Sequence, residues 1–356
     1  MDIESKIGLI KQVGEEILTE EELRHLLKTK QNPIAYDGFE PSGNLHIAQG
    51  VMRAINVNKM LKAGCKFKMW VADWFGWLNN KMQGDLEKIK LVGKYQVEVW
   101  KACGMQTDKI EFLWTSDAVS DSEYWKKVVN VARATTIQRM ARCSQIMGRS
   151  EKEILSSAQI LYPAMQCADI FHLKADITQL GMDQRKVNVL AREIGEKLGF
   201  WKPVVVSHHM LMGLGEPPKE NDEDRLLKLK MSKTNPDKAI FMNDSEEEIK
   251  RKIAKAYCPA KITEENPMLE YAKYLIFEKF NTIEIKRIEK FGGDLVIENY
   301  ADLEKLYREG KIHPMDLKNA VAYYINEMVK PVRESFEKDA KLKKLLETIK
   351  GFEVTR

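Results

Sequence analysis

Residues 34–50 read IAYDGFEPSGNLHIAQG, and the change of pattern inside this stretch decides the fold. The apolar run at 34–39 predicts a buried strand, and the Pro-Ser-Gly sequence at 41–43 predicts a turn. At 45–61 the apolar residues recur at helical spacing. We therefore expect a strand, a tight turn and a helix, with His46 in the first helical turn.

The same alternation of strand and helix continues on both sides of this segment. The pattern predicts strands near 67–72, 110–114 and 203–206, and a helix near 86–102. Such alternation indicates a parallel sheet with helices on both faces, which is an α/β, Rossmann-like fold. In front of it, residues 3–29 have helical spacing interrupted by a capping box, which predicts an N-terminal helical cap.

A long loop divides the chain. Residues 213–238 combine glycines, prolines and many charges, a composition that indicates a mobile loop or hinge. We place the domain boundary at its end, which gives a catalytic domain at 1–238 and a second domain at 239–356. Helical spacing dominates the second domain, so it is expected to be all-α. Further helices are predicted at 122–147, 162–173, 184–198, 268–279, 301–308 and 315–348.

Composition limits the class of protein. The 356 residues are 44% hydrophobic and 31% charged, which is typical of a globular protein with sizeable cores. A net charge of +4 is too small to indicate a nucleic-acid partner by itself. The sequence shows neither a secretory signal nor an apolar run long enough to span a membrane, so we expect a cytoplasmic protein. Its five scattered cysteines lack metal-binding spacing, and we expect reduced thiols and no metal site.

Two segments have the residue types that phosphate chemistry needs. The turn at 41–50 brings backbone N–H groups to one point, where His46 can donate a hydrogen bond to an oxyanion on phosphorus. The loop at 230–234, KMSKT, carries two lysines that can neutralise polyphosphate charge. Taken alone, each has a simpler interpretation, namely a capped turn with a surface histidine and a solvated run of charges.

Taken together, the two segments resemble the paired signatures of class I aminoacyl-tRNA synthetases. Ala48 and Gln49 stand where that class usually has glycine and a second histidine. The resemblance implies that ATP is a substrate, accompanied by Mg²⁺. It implies catalytic roles for His46, Gln49, Lys230 and Lys233. It also implies ATP contacts from Gly38, Gly43, His46, Lys230, Met231, Ser232 and Lys233.

A third segment carries polar side chains at helical spacing. Tyr162, Gln166 and Asp169 lie at i, i+4 and i+7, so a helix projects all three from one face. The alternative is a polar outer face, but the apolar neighbours Ile160, Leu161 and Ile170 favour a buried wall whose polar groups need partners. The sequence therefore predicts a pocket with a phenol, an amide and a carboxylate on one side.

These residues, with Tyr36 and Gln184, resemble the tyrosine pocket of archaeal and eukaryotic tyrosyl-tRNA synthetases, and the resemblance covers nearly the whole chain. It implies that Tyr36 and Asp169 bind the substrate phenol, while Tyr162, Gln166 and Gln184 bind its amino group. Phenylalanine lacks the phenol O–H and would leave buried groups unpaired. The implied activity joins L-tyrosine to ATP as tyrosyl-adenylate and then transfers it to the 3′ end of tRNA(Tyr).

The same resemblance implies partners beyond the amino acid. Arg185 is expected at the acceptor stem, while Phe291 and His313 stack on the first anticodon base and Asp316 pairs with its edge. As isolated observations, these would be a solvated arginine, a core residue and a helix start. The family also implies a homodimer formed through a helical insertion at about 100–160.

Three rival functions remain open from the sequence. A tryptophanyl-tRNA synthetase shares the architecture but does not need the carboxylate of Asp169 opposite a phenol. A non-catalytic RNA-binding protein on the same scaffold would not need His46 or the two lysines. A simple nucleotidyltransferase uses a histidine turn, yet it has no use for a helical domain that reads an anticodon.

Overall fold

A computed structural model of the chain describes residues 1–148, 154–219, 225–233 and 235–352. Strands and helices are numbered separately along the chain. The strands are β1 (Gly14–Leu18), β2 (Ile34–Phe39), β3 (Lys66–Val71), β4 (Ile110–Trp114), β5 (Ile177–Thr178), β6 (Val204–His208), β7 (Ile283–Ile285) and β8 (Leu295–Ile297). The helices are α1 (Ile3–Val13), α2 (Glu20–Thr29), α3 (Arg53–Lys62), α4 (Asp73–Leu78), α5 (Leu86–Ala102), α6 (Thr115–Ala118), α7 (Ser122–Arg133), α8 (Ile137–Arg142), α9 (Ser157–His172), α10 (Arg185–Ile194), α11 (Arg225–Leu229), α12 (Glu246–Ala254), α13 (Pro267–Tyr271), α14 (Phe277–Lys279), α15 (Tyr300–Arg308), α16 (Pro314–Lys338) and α17 (Ala340–Lys350).

Six strands form the main sheet in the order β1-β6-β5-β2-β3-β4. All neighbouring pairs except β1 and β6 are parallel. The chain runs from β2 outward through β3 to β4 and then returns to the other side of β2 to form β5. Ligands of open α/β sheets bind outside the carboxyl ends of the strands where the order reverses in this way. The Rossmann-like α/β fold is confirmed, and its topology directs attention to the ends of β2 and β5.

The expected N-terminal helical cap contains a strand. Between α1 and α2, residues Gly14–Leu18 leave the helical path and pair antiparallel with β6, with Gly14 opposite His208 and Leu18 opposite Val205. The sequence GEEIL has no strand signal of its own, and it becomes a strand because β6 supplies the hydrogen-bonding edge. The capping box is present, with the Thr19 side chain accepting from the backbone N–H of Glu22.

Two long helices predicted from periodicity are broken by capping side chains. The stretch predicted as one helix at 122–147 forms α7, α8 and a 3₁₀ turn, and the Thr136 side chain caps the start of α8. At the C-terminus, Asp339 ends α16 and caps α17. Thr and Asp side chains compete with the helix for backbone N–H groups, which lets a break form without altering the apolar period.

The two faces of the main sheet are covered by different helices. Apolar side chains of α1, α3 and α5 form one core, and those of α7, α9 and α10 form the other. The first core continues into the C-terminal region, where Phe336 on α16 packs edge-on against Tyr95 on α5. The two ring centroids are 5.4 Å apart. The second core surrounds Tyr36 and Tyr162 and therefore contains the predicted pocket.

The C-terminal region is mainly helical but not entirely so. β7 and β8 form a short antiparallel hairpin in the part that was expected to be all-α, with Ile283 opposite Ile297. Both of these side chains are buried, which explains why two three-residue strands persist. Among the described residues, none of the helices combines the length and apolar character that a bilayer crossing requires.

Candidate active site

The turn after β2 carries the first group of expected phosphate-binding residues. Gly43 has a φ of +95°, a left-handed conformation that glycine adopts without strain. His46 forms an isolated antiparallel bridge with Phe241, and helical backbone begins only with the π-helical turn Ala48–Met52 that leads into α3. The prediction that His46 lies in the first helical turn is therefore wrong. Residues 240–242 hydrogen-bond the backbone on both sides of it and keep it extended.

The imidazole of His46 is buried and uncharged. Burial lowers its pKa well below the usual value, and the positive charges of Lys233 and Lys230 lower it further. Its Nδ1 has no hydrogen-bond partner among the described residues. The Gln49 side chain folds back over the same turn, where its Oε1 accepts from the His46 backbone N–H at 3.4 Å. The turn thus offers a neutral imidazole, supported by Gln49, to a ligand.

Lys233 extends from the lysine loop into this turn. Its Nζ donates to the Oγ of Ser42 at 3.0 Å and to the backbone carbonyls of Ser42 and Gly43 at 3.2 and 3.5 Å. Burial lowers the pKa of Lys233 to about 7, and the nearby charge of Lys81 acts in the same direction. None of the three acceptor atoms is a carboxylate, and the negative charge of Glu40, which raises the pKa of Lys233, does not offset its burial.

Lys230 is held differently, by a carboxylate. Its Nζ lies 2.7 Å from Oδ2 of Asp183, and the backbone of Lys230 bridges to Met212. Burial by itself would raise the pKa of Asp183, but the Lys230 charge outweighs it and the pKa is lowered. The two lysines of the loop therefore have unlike partners. Thr234, the last residue of the predicted signature, lies outside the described residues.

The remaining expected ATP-binding residues lie close to these groups. Met231 is buried, and Ser232 is partly buried beside it. A cavity of about 180 Å³ is lined in part by Gly213, Lys230 and Ser232. Gly38 lies within β2, where a Cβ atom would meet the Tyr36 ring at an ordinary contact distance of 3.7 Å. Lys233, which follows Ser232, reaches Ser42, so the lysine loop and the turn after β2 lie against each other.

The polar face of α9 points inward. Tyr162, Gln166 and Asp169 are 5%, 9% and 1% exposed, respectively, so the alternative of a solvated outer face is excluded. The helix begins at Ser157 instead of 162, because Ser156 and Gln159 form a capping box ahead of it. Three polar side chains in an apolar core must find partners, and each of them does so differently.

One end of this wall is a carboxylate surrounded by phenols. Oδ1 of Asp169 accepts a hydrogen bond of 2.9 Å from the Tyr124 hydroxyl on α7. Tyr36 on β2 is 1% exposed, and its hydroxyl has no partner among the described residues. Burial raises the pKa of Tyr36 well above its usual value, and the neighbouring charge of Asp169 raises it further. A ligand phenol placed here would meet a carboxylate acceptor and an unpaired hydroxyl.

The other end of the wall carries amide and carboxylate groups. Nε2 of Gln166 donates to Oε1 of Gln184 at 2.9 Å, and Nε2 of Gln184 donates to the Ile146 carbonyl at 3.1 Å. The Tyr162 hydroxyl donates to Oε2 of Glu40 at 3.2 Å. Burial raises the pKa of Glu40 in spite of this bond. The oxygen atoms at this end suit a cationic amine.

Two residues of the site were missed in the sequence. Tyr124 lies on the buried face of α7 with Val128 and Val131, where periodicity indicates only a core residue. Glu40 directly follows β2 and was passed over as part of the turn. A signal was present for Glu40, since a carboxylate at the carboxyl end of a central parallel strand faces the crevice where ligands bind. No comparable signal marks Tyr124, because its contact with Asp169 spans 45 residues.

The residues expected to contact tRNA lie apart from this pocket. Arg185, at the start of α10, pairs with Glu16 on β1, with Nε and Oε2 2.8 Å apart. His313 is exposed and caps α16, and Asp316 follows in the first turn of that helix. Phe291 ends a short 3₁₀ turn, and its side chain lies outside the described part of the structure.

Arg287 joins the hairpin loop to the segment before His313. Its Nε donates to the Gly293 carbonyl at 2.8 Å, and one of its terminal nitrogens donates to the Lys311 carbonyl at 2.8 Å. A guanidinium that bonds two carbonyls on different segments fixes their separation. The loop that carries Phe291 and the start of α16 are therefore held side by side.

Comparison with known proteins identifies the family. A family model described as "tRNA synthetases class I (W and Y)" matches residues 28–330. The chain is 51% identical to "Tyrosine--tRNA ligase 1, cytoplasmic" of Arabidopsis thaliana over 358 residues, covering 100% of this chain and 90% of the relative. It is 43% identical to "Tyrosine--tRNA ligase" of Thermococcus kodakarensis, covering 98% of this chain and 99% of the relative.

A solved structure is similar over the same length. The crystal structure of tyrosyl-tRNA synthetase complexed with L-tyrosine from Pyrococcus horikoshii superimposes with a TM-score of 0.91. It is 38% identical in sequence, and the match covers 98% of this chain and 100% of that one. The similarity therefore extends through both the sheet and the C-terminal helices.

Replacement of Lys233 by Met is expected to change the pH dependence of stability. The pKa of Lys233 is about 7 in the folded protein and near 10.5 in the unfolded chain. Below pH 7 Lys233 is protonated in both the folded and the unfolded protein, and the buried ammonium destabilises the folded protein fully. This destabilisation decreases as the pH rises from about 7 toward 10.5, because the folded protein releases the proton first. The melting temperature of Lys233→Met minus that of wild type should therefore be highest at pH 6 and lower at pH 9. A difference that does not vary over this range would contradict the lowered pKa.

Proposed function

The chain belongs to the class I tRNA synthetases of the tryptophan and tyrosine group, and from that premise we infer that the pocket on α9 selects tyrosine. The protein is a ligase that activates L-tyrosine with ATP and charges tRNA with it. One observation carries the choice of amino acid, namely the buried Asp169 carboxylate with the unpaired Tyr36 hydroxyl beside it. An indole N–H could donate to Asp169 but offers no oxygen to accept from Tyr36, whereas a phenol hydroxyl satisfies both groups.

Selection against phenylalanine follows from the same pair. A phenol O–H can donate to Asp169, and its oxygen can accept from Tyr36, so both buried groups gain partners on binding. A bound phenylalanine excludes water from the site and satisfies neither group. Leaving a buried polar group without a hydrogen-bond partner costs about 1–3 kcal/mol, and the cost is larger when the group is charged.

The amino group of the substrate is assigned to the opposite end of the wall. We place it against the hydroxyl of Tyr162 and the side-chain oxygens of Gln166 and Gln184. In the free protein Tyr162 donates to Glu40, and Gln166 donates to Gln184. The Glu40 carboxylate behind Tyr162 adds negative charge where an ammonium would be held. Gln184 accepts from Gln166 without a ligand, so an incoming amine displaces or joins a hydrogen bond that already orients the pocket.

The first chemical step forms tyrosyl-adenylate. A carboxylate oxygen of tyrosine attacks the α-phosphorus of ATP, the bond to the bridging oxygen breaks, and pyrophosphate leaves with its electron pair. We assign His46 to donate a hydrogen bond to the developing charge on the α-phosphate, since its imidazole is neutral and has a free nitrogen. Gly43 leaves room for the phosphates to approach the backbone, and Gln49 keeps the turn in shape.

The lysines act on the leaving pyrophosphate. Lys230 must release Asp183, and Lys233 must release the carbonyls of Ser42 and Gly43, before either ammonium can reach a phosphate oxygen. Binding of ATP is therefore an exchange of partners that brings the loop over the nucleotide. The phosphates also bring negative charge to Lys233, so nucleotide binding should raise its pKa.

Magnesium belongs to the nucleotide in this scheme. Among the described residues there is no group of three or more His, Cys, Asp or Glu side chains arranged to hold a metal ion. Mg²⁺ commonly keeps several waters and binds through substrate phosphates and one or two carboxylates. We therefore propose that Mg²⁺ enters the site bound to the phosphates of ATP.

The second step transfers the amino acid to tRNA. A terminal ribose hydroxyl attacks the carbonyl carbon of the adenylate, the bond to the phosphate oxygen breaks, and AMP leaves. The proton of the hydroxyl goes to a phosphate oxygen of the AMP group, which lies next to the reacting atoms by construction of the adenylate. Catalysis here depends on positioning.

Recognition of tRNA is assigned to both ends of the molecule. Arg185 lies at the mouth of the pocket region, where it would exchange Glu16 for a backbone phosphate of the acceptor stem. His313 and Asp316 lie at the start of α16, next to the loop of Phe291, and Arg287 fixes their spacing. We propose that residues 239–356 form the anticodon-binding domain and residues 1–238 the catalytic domain. The cytoplasm is the proposed location, as in the named plant relative.

A homodimer is proposed from the surface of the helical insertion. Ile137 and Val129 are 73% and 53% exposed, and Ile154 and Leu161 are exposed nearby in the chain. Large exposed side chains of this kind are isolated on most of a protein surface, and a group of them marks an interaction site. The family resemblance favours a second copy of the same chain as the partner.

The amino acid is tested by ATP–pyrophosphate exchange. Labelled pyrophosphate should enter ATP only when tyrosine is present, and tryptophan or phenylalanine should support little exchange at the same concentration. Asp169→Asn keeps the size of the side chain and removes its charge, so it should lower kcat/KM for tyrosine at least tenfold. Equal exchange with tryptophan, or undiminished exchange in the variant, would show that the pocket is assigned wrongly.

Anticodon reading is tested at His313 with two variants. His313→Asn removes the ring but retains a good helix cap, whereas His313→Ala removes both. Both should raise KM for tRNA in charging by roughly tenfold, because stacking on one base contributes about 1–3 kcal/mol. Tyrosine-dependent exchange without tRNA should stay at the wild-type rate. If only the alanine variant were impaired, the histidine would serve the helix and not the tRNA.

Dimer formation is tested by placing a charge in the exposed apolar group. Ile137→Glu should shift the mass measured by light scattering from dimer to monomer at micromolar concentration. Val296→Glu is the matched control, because Val296 is 64% exposed on β8, far along the chain from the insertion. A wild-type chain that is monomeric, or an Ile137 variant that remains dimeric, would rule out this interface.

A further inference from the structure

Tyr124 is a buried phenol that none of the steps above uses. It lies on α7 and is 0% exposed, and its hydroxyl donates to Oδ1 of Asp169 at 2.9 Å. The ring is fixed by edge-on contacts to His172 and Trp125, with centroids 5.2 and 5.8 Å away. A phenol O–H prefers the plane of its ring, so a fixed ring restricts where the hydroxyl can donate, and here it donates toward Asp169.

That direction leaves the second carboxylate oxygen for the substrate. Among the described residues, no side-chain hydroxyl other than that of Tyr124 donates to Asp169. With Oδ1 engaged, the carboxylate cannot rotate freely about its last torsion, and Oδ2 keeps one position. The unpaired Tyr36 hydroxyl lies close enough to Asp169 for the two to interact electrostatically. A phenol bound between Oδ2 and Tyr36 completes the arrangement.

We propose that Tyr124 is a positioning residue for amino-acid selection: its hydroxyl holds one oxygen of Asp169 and thereby aims the other at the phenol of the substrate. The proposal rests on the role given to Asp169 under the proposed function. Tyr124 does not touch the substrate and acts only through the carboxylate. Its effect should therefore be confined to amino acids that bear a para hydroxyl.

The hydrogen bond also affects the charge of Asp169. Burial raises the pKa of Asp169 well above its usual value, whereas the hydrogen bond from Tyr124 and the nearby Trp70 side chain lower it. Without the Tyr124 hydroxyl, the pKa should rise further. The charged form, which accepts from a phenol most strongly, would then persist only at higher pH.

Among the described residues, the side chains whose charges interact with Asp169 do not themselves titrate near neutral pH. The ionisable side chains that interact with it are Tyr36, Tyr124, Tyr162 and Cys167, and burial raises the pKa of each. All four are therefore neutral at pH 7. His172, which contacts the Tyr124 ring, has a lowered pKa because of burial and is neutral there too. Two other carboxyl groups of the site have pKa values raised by burial, Asp37 to about 6 and Glu40. The Tyr124 hydroxyl donates to Asp169 and to neither of these, so a difference in the acidic limb between Tyr124→Phe and wild type is attributed to Asp169.

The test is Tyr124→Phe, which keeps the ring and removes the hydroxyl. In tyrosine-dependent exchange, kcat/KM for tyrosine should fall by roughly tenfold or more, while kcat/KM for phenylalanine, measured at high concentration, should stay the same. The ratio between the two amino acids should fall by the same factor. KM for ATP should not change. The acidic limb of kcat/KM for tyrosine should move to higher pH.

Tyr271→Phe is the matched control. Tyr271 is likewise fully buried, and its hydroxyl donates to the Met212 carbonyl at 3.2 Å. This variant should lose a similar amount of stability to Tyr124→Phe and keep both the tyrosine-to-phenylalanine ratio and the pH profile of wild type. Comparison of the two variants separates loss of a buried hydrogen bond from loss of carboxylate positioning.

Three outcomes would overturn the inference or its premise. If Tyr124→Phe lowers kcat/KM equally for tyrosine and phenylalanine with an unmoved acidic limb, the hydroxyl has a structural role only. If the variant behaves as wild type, the hydroxyl has no role in selection. If wild-type exchange does not depend on tyrosine, the proposed function itself fails, and the Tyr124 variants are not needed to show it.

Discussion

A carboxylate taken out of water needs hydrogen-bond donors, and the pocket is organised around meeting that need at Asp169. In the free protein Tyr124 supplies one donor and the surrounding core supplies none that carries a charge. Burial of this carboxylate is unfavourable in itself, and a ligand hydroxyl offsets it by donating to Asp169 and accepting from Tyr36. Specificity of this kind depends on the whole second core, since α7 and α9 must pack closely enough to exclude water from the carboxylate.

Positive charge at the other end of the site follows a related principle. Two loop lysines lie near a neutral histidine, and the protein satisfies them with its own atoms until a nucleotide arrives. Lys230 forms an ion pair with a carboxylate, whereas the hydrogen bonds of Lys233 to described residues all go to neutral oxygens, so the two ammoniums should respond differently to a bound polyphosphate. A loop held by such exchangeable contacts can close without a large change in the number of hydrogen bonds.

The sequence predicted what is encoded locally. The helix at Leu86–Ala102 and the polar face of α9 were found because periodicity and capping act within a few residues. What was missed depends on distant partners: β1 is a strand only because β6 lies beside it, and Tyr124 meets Asp169 across 45 residues. The position of His46 was misjudged for the same reason, since its bridge to Phe241 comes from the far side of the lysine loop.

The pairing of β1 with β6 has a consequence for synthesis on the ribosome. β1 is the first strand of the sheet to emerge, yet its neighbour β6 is the last strand of that sheet to be translated. Until then the GEEIL segment has no edge to join, and its two glutamates help to keep it from pairing with other chains. The nascent sheet therefore grows outward from β2 and is closed last by its earliest residues, which makes completion of the fold a late, long-range event.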